Sequence, residues 1–322
     1  MERYNNYSDY LKRKYGEKVY KIPVSLPVTC PNRDGTLSAE PCIFCGSIGA
    51  DYETKAVGLS VSRQLERSIA HVGPKYKAEK FIAYFLNFTN TYCALSDFRA
   101  WMEEAMAYPS VVGIDVSTRP DCISDAYLDI LKELSEKYHK DVTVELGLQS
   151  SNVHTLQKIH RCHGVAEYID AALRIGRYGF SLCTHVILDL PWDDRLDTAE
   201  TAKLLSVLPV TEVKIHSLYV VKGTALAGMY QRGEVQLLPP EEYLERVCLF
   251  LSLLRPDIVL QRLVGRADRN VLSINGGKPW WEVKEALDRL LEERNITQGC
   301  RCDYRNGAAV RRFTGRESEK QN

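Results

Sequence analysis

The 322-residue chain is 45% hydrophobic and 26% charged, an ordinary globular composition with enough length for a sizeable core. Its 42 basic and 42 acidic residues cancel, so no net field draws it to nucleic acid or to an anionic membrane, and any such role must rest on local basic patches. No run of about 18 apolar residues is present, and the polar, aromatic start Met1–Tyr7 does not read as a secretory signal. The ten cysteines are scattered in the manner of thiols or metal ligands in a reducing compartment, which places the protein in the cytoplasm rather than among disulfide frameworks.

In chain order, β-rich apolar runs alternate with helix-like stretches. The spacing predicts a strand at Val19–Val24, a loop through Cys30–Cys45 and a helix near Val61–Val72. Strands then follow at Lys80–Leu86, Val111–Val116, Val142–Leu148, Leu182–Leu188 and Val213–Val220. Helices fall between them at Asp97–Ala107, Ser124–Tyr138, Val165–Tyr178 and Thr198–Leu208, with Ser124 as an N-cap. Strand starts roughly 30–40 residues apart are the length of a strand–helix unit. About six such units predict an α/β fold, a full or partial (β/α)6 TIM-like barrel.

The core is expected over 1–235, including the loop 30–45. A small α/β extension is expected over 236–300, with a helix at Pro240–Leu254, a strand at Ile258–Leu263 and a helix at Trp280–Arg294. Residues 301–322 read as a basic, flexible tail. Barrels carry their chemistry at the C-terminal ends of the strands. That rule brings together Cys30–Cys45, Asn87–Tyr92, Ser117–Asp121, Gln149–Ser150, Asp189–Pro191 and Lys222–Thr224.

The sharpest local signal is Cys30, Cys42 and Cys45 in C-x11-C-x2-C spacing. Pro31 and Asp34-Gly35 are turn formers that fold the loop back from Cys30 towards Cys42. Three thiolates can hold three irons of a cubane cluster and leave the fourth iron open for a substrate-derived ligand. A structural zinc site is the competing reading, although its fourth ligand is missing nearby and Cys300-x-Cys302 is distant. A redox pair at Cys42–Cys45 is a third reading, in which Cys30 has no role.

These residues carry a family resemblance. Cys30–Gly35 (CPNRDG) with Cys42–Cys45 (CIFC), Phe88–Tyr92 (FTNTY), Thr118–Asp121 (TRPD) and Glu145–Ser150 (ELGLQS) resemble the YhcC/YtqA-type, MnmL-like radical S-adenosylmethionine (SAM) proteins. These are relatives of the radical SAM subunit of Elongator. The resemblance runs over about residues 5–300 and includes Arg262-Leu263 and Trp280–Val283. It implies a radical SAM barrel with a 4Fe-4S cluster on Cys30, Cys42 and Cys45, and SAM on the open iron. By the same resemblance Phe44 offers its backbone to the adenine, and Asn90 and Thr91 lie where the amino group of SAM is bound. Ser117 and Arg119 face the ribose or carboxylate, Gln149 and Arg161 contact the carboxylate, and His185 lies near the adenosine. The residues that act on the substrate itself are not identified.

Two stretches depart from the family pattern: Pro23–Pro27, ahead of Cys30, is more proline-rich than the family's, and the end of the fifth strand differs. In the family that strand commonly ends Gly-Leu-Pro-Gly-Glu, whereas this chain has Asp189-Leu190-Pro191-Trp192-Asp193. Both glycines are lost there, which concerns substrate handling.

Plainer readings stand beside these. Arg119 can pair with Asp121 or Asp115 on a surface, Asn90 and Thr91 can cap a loop, and Glu145 can line the barrel or pair with a base. Cys93, Cys122, Cys183 and Cys248 read as small hydrophobes, and His160 and His163 as surface residues. Two basic patches, Lys12–Tyr15 and Arg301, Arg305, Arg311 and Arg312, are solvated faces by default, to which Arg262, Arg266 and Arg269 can add.

The resemblance implies a substrate in tRNA, the wobble uridine, with 5-carboxymethylaminomethyl converted to 5-aminomethyl. It also implies an electron donor such as flavodoxin or ferredoxin, and no membrane partner. A radical SAM enzyme acting on a small molecule and a non-catalytic zinc-bound RNA-binding protein are the alternatives.

Overall fold

The structure is a computed structural model that describes residues 2–46, 58–266 and 271–314. The chain starts along the far edge of the sheet, where Asn6 bridges Leu260 in parallel. It then turns into helix α1 (Tyr7–Tyr15), whose N-cap Asn6 accepts a hydrogen bond from Ser8 N. Gly16, at φ 75°, ends α1 in the left-handed conformation that glycine tolerates and donates to Lys12 O.

Seven units then follow. Strands β1 (Val19–Val24), β2 (Lys80–Phe85), β3 (Val111–Thr118), β4 (Asp141–Gln149), β5 (Ser181–Ile187) and β6 (Glu212–His216) pair in sequence order, all parallel. The crossovers are α2 (Val61–Tyr76), α3 (Leu95–Ala107), α4 (Asp125–Tyr138), the pair α5 (Val153–Lys158) and α6 (Val165–Arg177), and α7 (Arg195–Val207). After β6 come the short β7 (Val220–Val221), α8 (Ala225–Gln231) and α9 (Pro240–Leu253). The seventh strand, β8 (Val259–Arg262), lies parallel beside β6. Strand β9 (Val271–Ser273) pairs antiparallel with β7, and α10 (Trp280–Glu293) packs on α9.

The sheet curls into a partial barrel. The curl is visible in one contact: Lys21 Nζ on the first strand donates to Gln261 Oε1 on the last, 3.0 Å away. Residues of every strand from β1 to β6 and of β8 line one cavity of about 990 Å³. The helices cover the outer face, where Ile22, Phe85, Ile114, Val144, Leu182 and Ile215 join α3, α4 and α6 in one buried core. Burial of such side chains, about 1.5–3 kcal/mol each, supplies the driving force, and the polar inner face adds none of it.

Two expectations are revised. The run Val213–Val220 breaks after His216, and its last residues form β7 away from the main sheet. The strand expected in a C-terminal extension is the seventh strand of the barrel itself, with Val259 and Leu260 in register with Glu212 and Val213. Ser124 does occupy the N-cap of α4, yet its side chain makes no capping hydrogen bond. Residues 299–304 fasten to α9, since Arg301 N donates to Ser252 O and Tyr304 Oη to Leu253 O. Residues 315–322 lie outside the described residues. Among the described residues no helix is long and apolar enough to cross a membrane.

Candidate functional site

The cysteine loop leaves β1 and folds back on itself through turns its sequence specifies. Asp34 Oδ1 accepts from Thr36 N, Gly35 sits at φ 91°, and Leu37 N returns to Pro31 O at 2.9 Å. A second turn closes Cys42 O to Cys45 N at 2.8 Å. Cys30, Cys42 and Cys45 thereby reach one wall of the cavity, with Phe44 beside them. Ile43 pins the loop to the barrel, accepting from Leu226 N and donating to Ile159 O.

Cationic groups attend the sulfurs. Arg161 Nη1 lies 3.4 Å from Cys42 Sγ and Arg33 Nη2 lies 3.3 Å from Cys45 Sγ. Such donors favour thiolate over thiol. At Cys45, burial pushes the thiol up and Arg33 opposes it. Four-coordinate zinc would hold its sulfurs roughly 3.8 Å apart, from a Zn–S bond of about 2.3 Å. Among the described residues, the potential ligands clustered within 4.8 Å of one another are Glu145, Cys183 and His185, and the cysteine-loop sulfurs form no such trio. Three sulfurs spread more widely on one wall fit a cubane cluster better than a single metal ion. The residues present therefore fit a 4Fe-4S cluster.

Behind the sulfurs, β4 ends in a strained turn. Gln149 adopts φ 74°, unusual for a residue with a side chain, and the strand's register shifts between Gly147 and Gln149. Arg161 Nη2 donates to Gly147 O at 2.8 Å and to His163 Nε2 at 2.8 Å. Because a guanidinium only donates, His163 Nε2 is an acceptor and the ring is neutral. Burial, with Arg161 and Arg119 adding to it, pushes His163 down to about 3. Among the described residues no carboxylate pairs with Arg161, and its Nε has no partner. A buried guanidinium with spare donors beside the sulfurs can bind a carboxylate.

The inner face of the sheet is polar. Lys21 pairs with Asp115 and, at 2.7 Å, with Glu145, which is fully buried. Lys214 approaches Glu145 at 3.4 Å and Tyr84 Oη at 2.7 Å. Burial opposes the charge on Glu145, yet Lys21, Lys214 and His185 together hold it well below the usual carboxylate range. His185 Nε2 meets Glu145 Oε2 at 2.7 Å, and burial outweighs this carboxylate to bring His185 down to about 4. Burial likewise pushes Glu212 up to about 7.

Of the residues singled out in the sequence, Cys30, Cys42, Cys45, Phe44, Ser117, Arg119, Gln149, Arg161 and His185 all line the cavity. Asn90 and Thr91 do not. The Asn90 amide nitrogen donates to Phe85 O and Ser117 O while its buried Oδ1 has no partner, and the Thr91 hydroxyl is spent on Thr118 Oγ1 and Cys122 O, so both side chains tie the loop together behind the wall. Arg119 does pair with Asp121, through two bonds of 2.9 and 2.7 Å, but it is buried rather than on a surface. The partner of Asp115 is Lys21 instead.

The altered Asp189–Asp193 stretch is absent from the cavity wall. Asp189 Oδ1 accepts from Leu218 N, and Trp192 packs in the apolar cluster of Leu156, Ile159 and Leu190. His163 is buried rather than on the surface, Cys93 and Cys122 are only partly buried, and Arg269 lies outside the described residues. In the first basic patch, Lys12 pairs with Asp9 and Lys14 with Asp141.

Sequence reasoning missed Lys21, Tyr84, Lys214 and His216, and it singled out Arg262 only as part of a basic surface; all five line the cavity. The available signal was one polar residue recurring inside each apolar strand run.

Comparison with known proteins agrees with this geometry. The family model for the Radical_SAM C-terminal domain matches residues 210–293. The chain is 34% identical over 303 residues to YtqA of Bacillus subtilis, covering 92% of each protein. It is 29% identical over 293 residues to YhcC of Escherichia coli K12, covering 91% of this chain and 93% of that one. A tRNA uridine(34) acetyltransferase of Methanocaldococcus infernus is 26% identical over 195 residues, 59% of this chain and 35% of the relative. Among solved structures, the archaeal M. infernus Elp3 lacking its N-terminus superposes with a TM-score of 0.62 at 17% identity, over 92% of this chain and 68% of that one.

Proposed function

Since this chain belongs to the radical SAM family of YtqA and YhcC, with a 4Fe-4S cluster and SAM as cofactors, we propose that it modifies the wobble uridine of tRNA, converting its 5-carboxymethylaminomethyl side chain to 5-aminomethyl, with the N–CH2 carbon of the carboxymethyl group oxidised to the imine at the expense of SAM and released by water as glyoxylate. The observation that carries this reading is the 195-residue similarity to a tRNA uridine(34) acetyltransferase.

In this reading Cys30, Cys42 and Cys45 hold the cluster. When bound and reduced, cluster and SAM supply a 5′-deoxyadenosyl radical that takes hydrogen from unactivated carbon. The electron comes from a cytoplasmic donor such as flavodoxin or ferredoxin. Arg161 receives the SAM carboxylate, positioned by Gly147 O and His163. Phe44, Ser117, Arg119, Gln149 and His185 line the space for the rest of SAM. The charged face of β1–β6 and β8 leaves a polar chamber for a polar substrate, and Lys21 with Lys214 keeps Glu145 ionised as an acceptor there.

The test is nucleoside analysis of tRNA from a strain lacking the gene, with anaerobic reconstitution of the protein alongside. Accumulation of the carboxymethylaminomethyl nucleoside, reversed by the wild-type gene and not by Cys42→Ala, is the expected result. An unchanged nucleoside profile, with SAM cleavage intact in the purified protein, would move the substrate from tRNA to a small molecule.

A further inference from the structure

We propose that Arg262 is the receptor for a carboxylate carried by the substrate, held in place by a hydrogen-bond chain of fixed direction through His216 and His185 to Glu145. This rests on the reading of the cavity as the substrate chamber of a radical SAM enzyme and names the group that the chamber recognises.

Five cations that line the cavity lack a carboxylate partner among the described residues: Lys18, Arg33, Arg161, Arg262 and Arg266. Lys18 and Arg266 are exposed, the one donating to Tyr76 O and the other lying over the Trp280 ring, and Arg33 is spent on Cys45 and Gly46, which leaves Arg161 and Arg262 inside the chamber. The other charges there are matched. Lys21 is taken by Asp115 and Glu145, Lys214 by Glu145, and Arg119 by Asp121. Arg161 and Arg262 line the same cavity, and among the described residues neither has a carboxylate within 4.0 Å. Arg161 stands beside Cys42 Sγ, at the end of the chamber where the cofactors fit. Arg262 closes the last strand, with its Nη2 donating to His216 Nδ1 and its Nε to Ile215 O at 3.4 Å. A guanidinium has five N–H donors, so the greater part of this fork remains for a ligand. A partly buried cation without a counter-ion is costly, and a planar fork best meets a carboxylate.

The chain of contacts fixes both imidazole tautomers. Arginine can only donate, so His216 Nδ1 accepts. His216 must then carry its proton on Nε2, which donates to His185 Nδ1 at 3.3 Å. His185 in turn carries its proton on Nε2 and donates to Glu145 Oε2 at 2.7 Å. Every donor points from Arg262 towards the buried carboxylate. Both rings are neutral, so they orient the guanidinium without cancelling its charge, and its field is left for the substrate. In the proposed substrate the carboxymethyl group supplies the matching anion.

The experiment compares carboxylate with carboxamide on the SAM-loaded, reconstituted protein. One pair of probes is two anticodon stem–loop RNAs that differ only in whether the wobble side chain ends in carboxylate or carboxamide. The other is N-benzylglycine and N-benzylglycinamide, which contain no RNA. Wild type is expected to prefer the carboxylate by at least about tenfold in both pairs. Arg262→Gln should abolish that preference and Arg262→Lys should retain part of it. Histidine nitrogen NMR of the protein without substrate should show His185 and His216 as neutral Nε2–H tautomers, with His216 alone losing that lock directly in Arg262→Gln.

Equal or undetectable binding of the carboxylate probes by wild type overturns the proposal. So does a preference that survives Arg262→Gln, or equal weakening of both RNAs, which would make Arg262 a contact to backbone phosphate. A preference confined to the benzyl pair keeps the carboxylate receptor and removes tRNA as the substrate. Conversion of the RNA without any carboxylate preference does the reverse.

Discussion

Gly147 and Arg161 occupy one another's space: a Cβ added at Gly147 would lie 3.1 Å from Arg161 Nη2, the atom that donates to Gly147 O. The same Cβ would come within 2.8 Å of Gln149 Nε2. The glycine therefore admits two polar side chains beside Cys42 at once. Gly147→Ala is expected to leave folding and iron content near wild type while it displaces Arg161 and Gln149. SAM affinity, measured by calorimetry on the reconstituted protein, should fall roughly tenfold, the scale of one charge-assisted hydrogen bond. Unchanged affinity would place the SAM carboxylate away from Arg161.

The three loop cysteines and Cys248 separate cleanly in their expected behaviour. Cys30→Ala, Cys42→Ala and Cys45→Ala should each abolish stable iron and sulfide loading after anaerobic reconstitution, because a cubane held by two thiolates has lost its third anchor. Cys248→Ala, on α9 in the buried core, should load iron like wild type and lose about 1–2 kcal/mol of stability. Zinc in place of iron and sulfide in the wild-type protein would restore the single-metal reading.

The alternation of β-rich and helical runs was legible because each strand carries a nearly unbroken apolar run on the helix-covered face. The cysteine loop was legible because turn formers and spacing are local properties. The strand at Ile258–Leu263 was legible too, but its place as the seventh strand of the barrel was not, since it is only four residues long and is separated from β6 by α8 and α9. The polar chamber escaped for a different reason. Lys21, Glu145 and Lys214 each look like a lone charge in an apolar run, and only the curl that carries Lys21 to Gln261 makes them neighbours. Asn90 and Thr91 show the limit of a strand-end rule. Position at the end of β2 brings them close to the cavity, but Thr118 and Cys122, from the next unit, draw the Thr91 hydroxyl away from it.

Lys21 is the keystone of that chamber's charge balance. It neutralises Asp115 and Glu145 together, and Glu145 is fully buried. Burial opposes its charge, yet the two carboxylates hold it well above the usual ammonium range. Lys21→Met keeps the length and apolar stem and removes the charge. It should cost about 3–5 kcal/mol at neutral pH, the range for breaking one partner out of a buried pair. Urea unfolding reads this directly. In Lys21→Met/Glu145→Gln the loss should be partly recovered, because one stranded charge is removed.

Asp189 carries an opposite pH signature. Burial pushes its carboxyl up to about 7 from an ordinary 3.8, only partly offset by the bond from Leu218 N. The folded protein thus keeps this proton up to about pH 7, while the unfolded chain releases it above about 3.8. The proton-linked stability is fully present below 3.8 and is lost as pH rises to about 7, at about 1.4 kcal/mol per pH unit for a single group. His185 has the reverse sense: held down to about 4, it costs stability as pH falls from 6.5 towards 4, so the two groups partly cancel in the wild-type profile. Asp189→Asn isolates one of them, since the amide oxygen can still accept from Leu218 N and the group no longer titrates. The stability of Asp189→Asn relative to wild type should therefore rise steadily between pH 4 and pH 7 and level off above it, followed by denaturant unfolding at each pH. A flat difference across that window would mean that Asp189 is ionised in the folded protein at pH 5 and that its burial is relieved by water reaching the Leu218 turn.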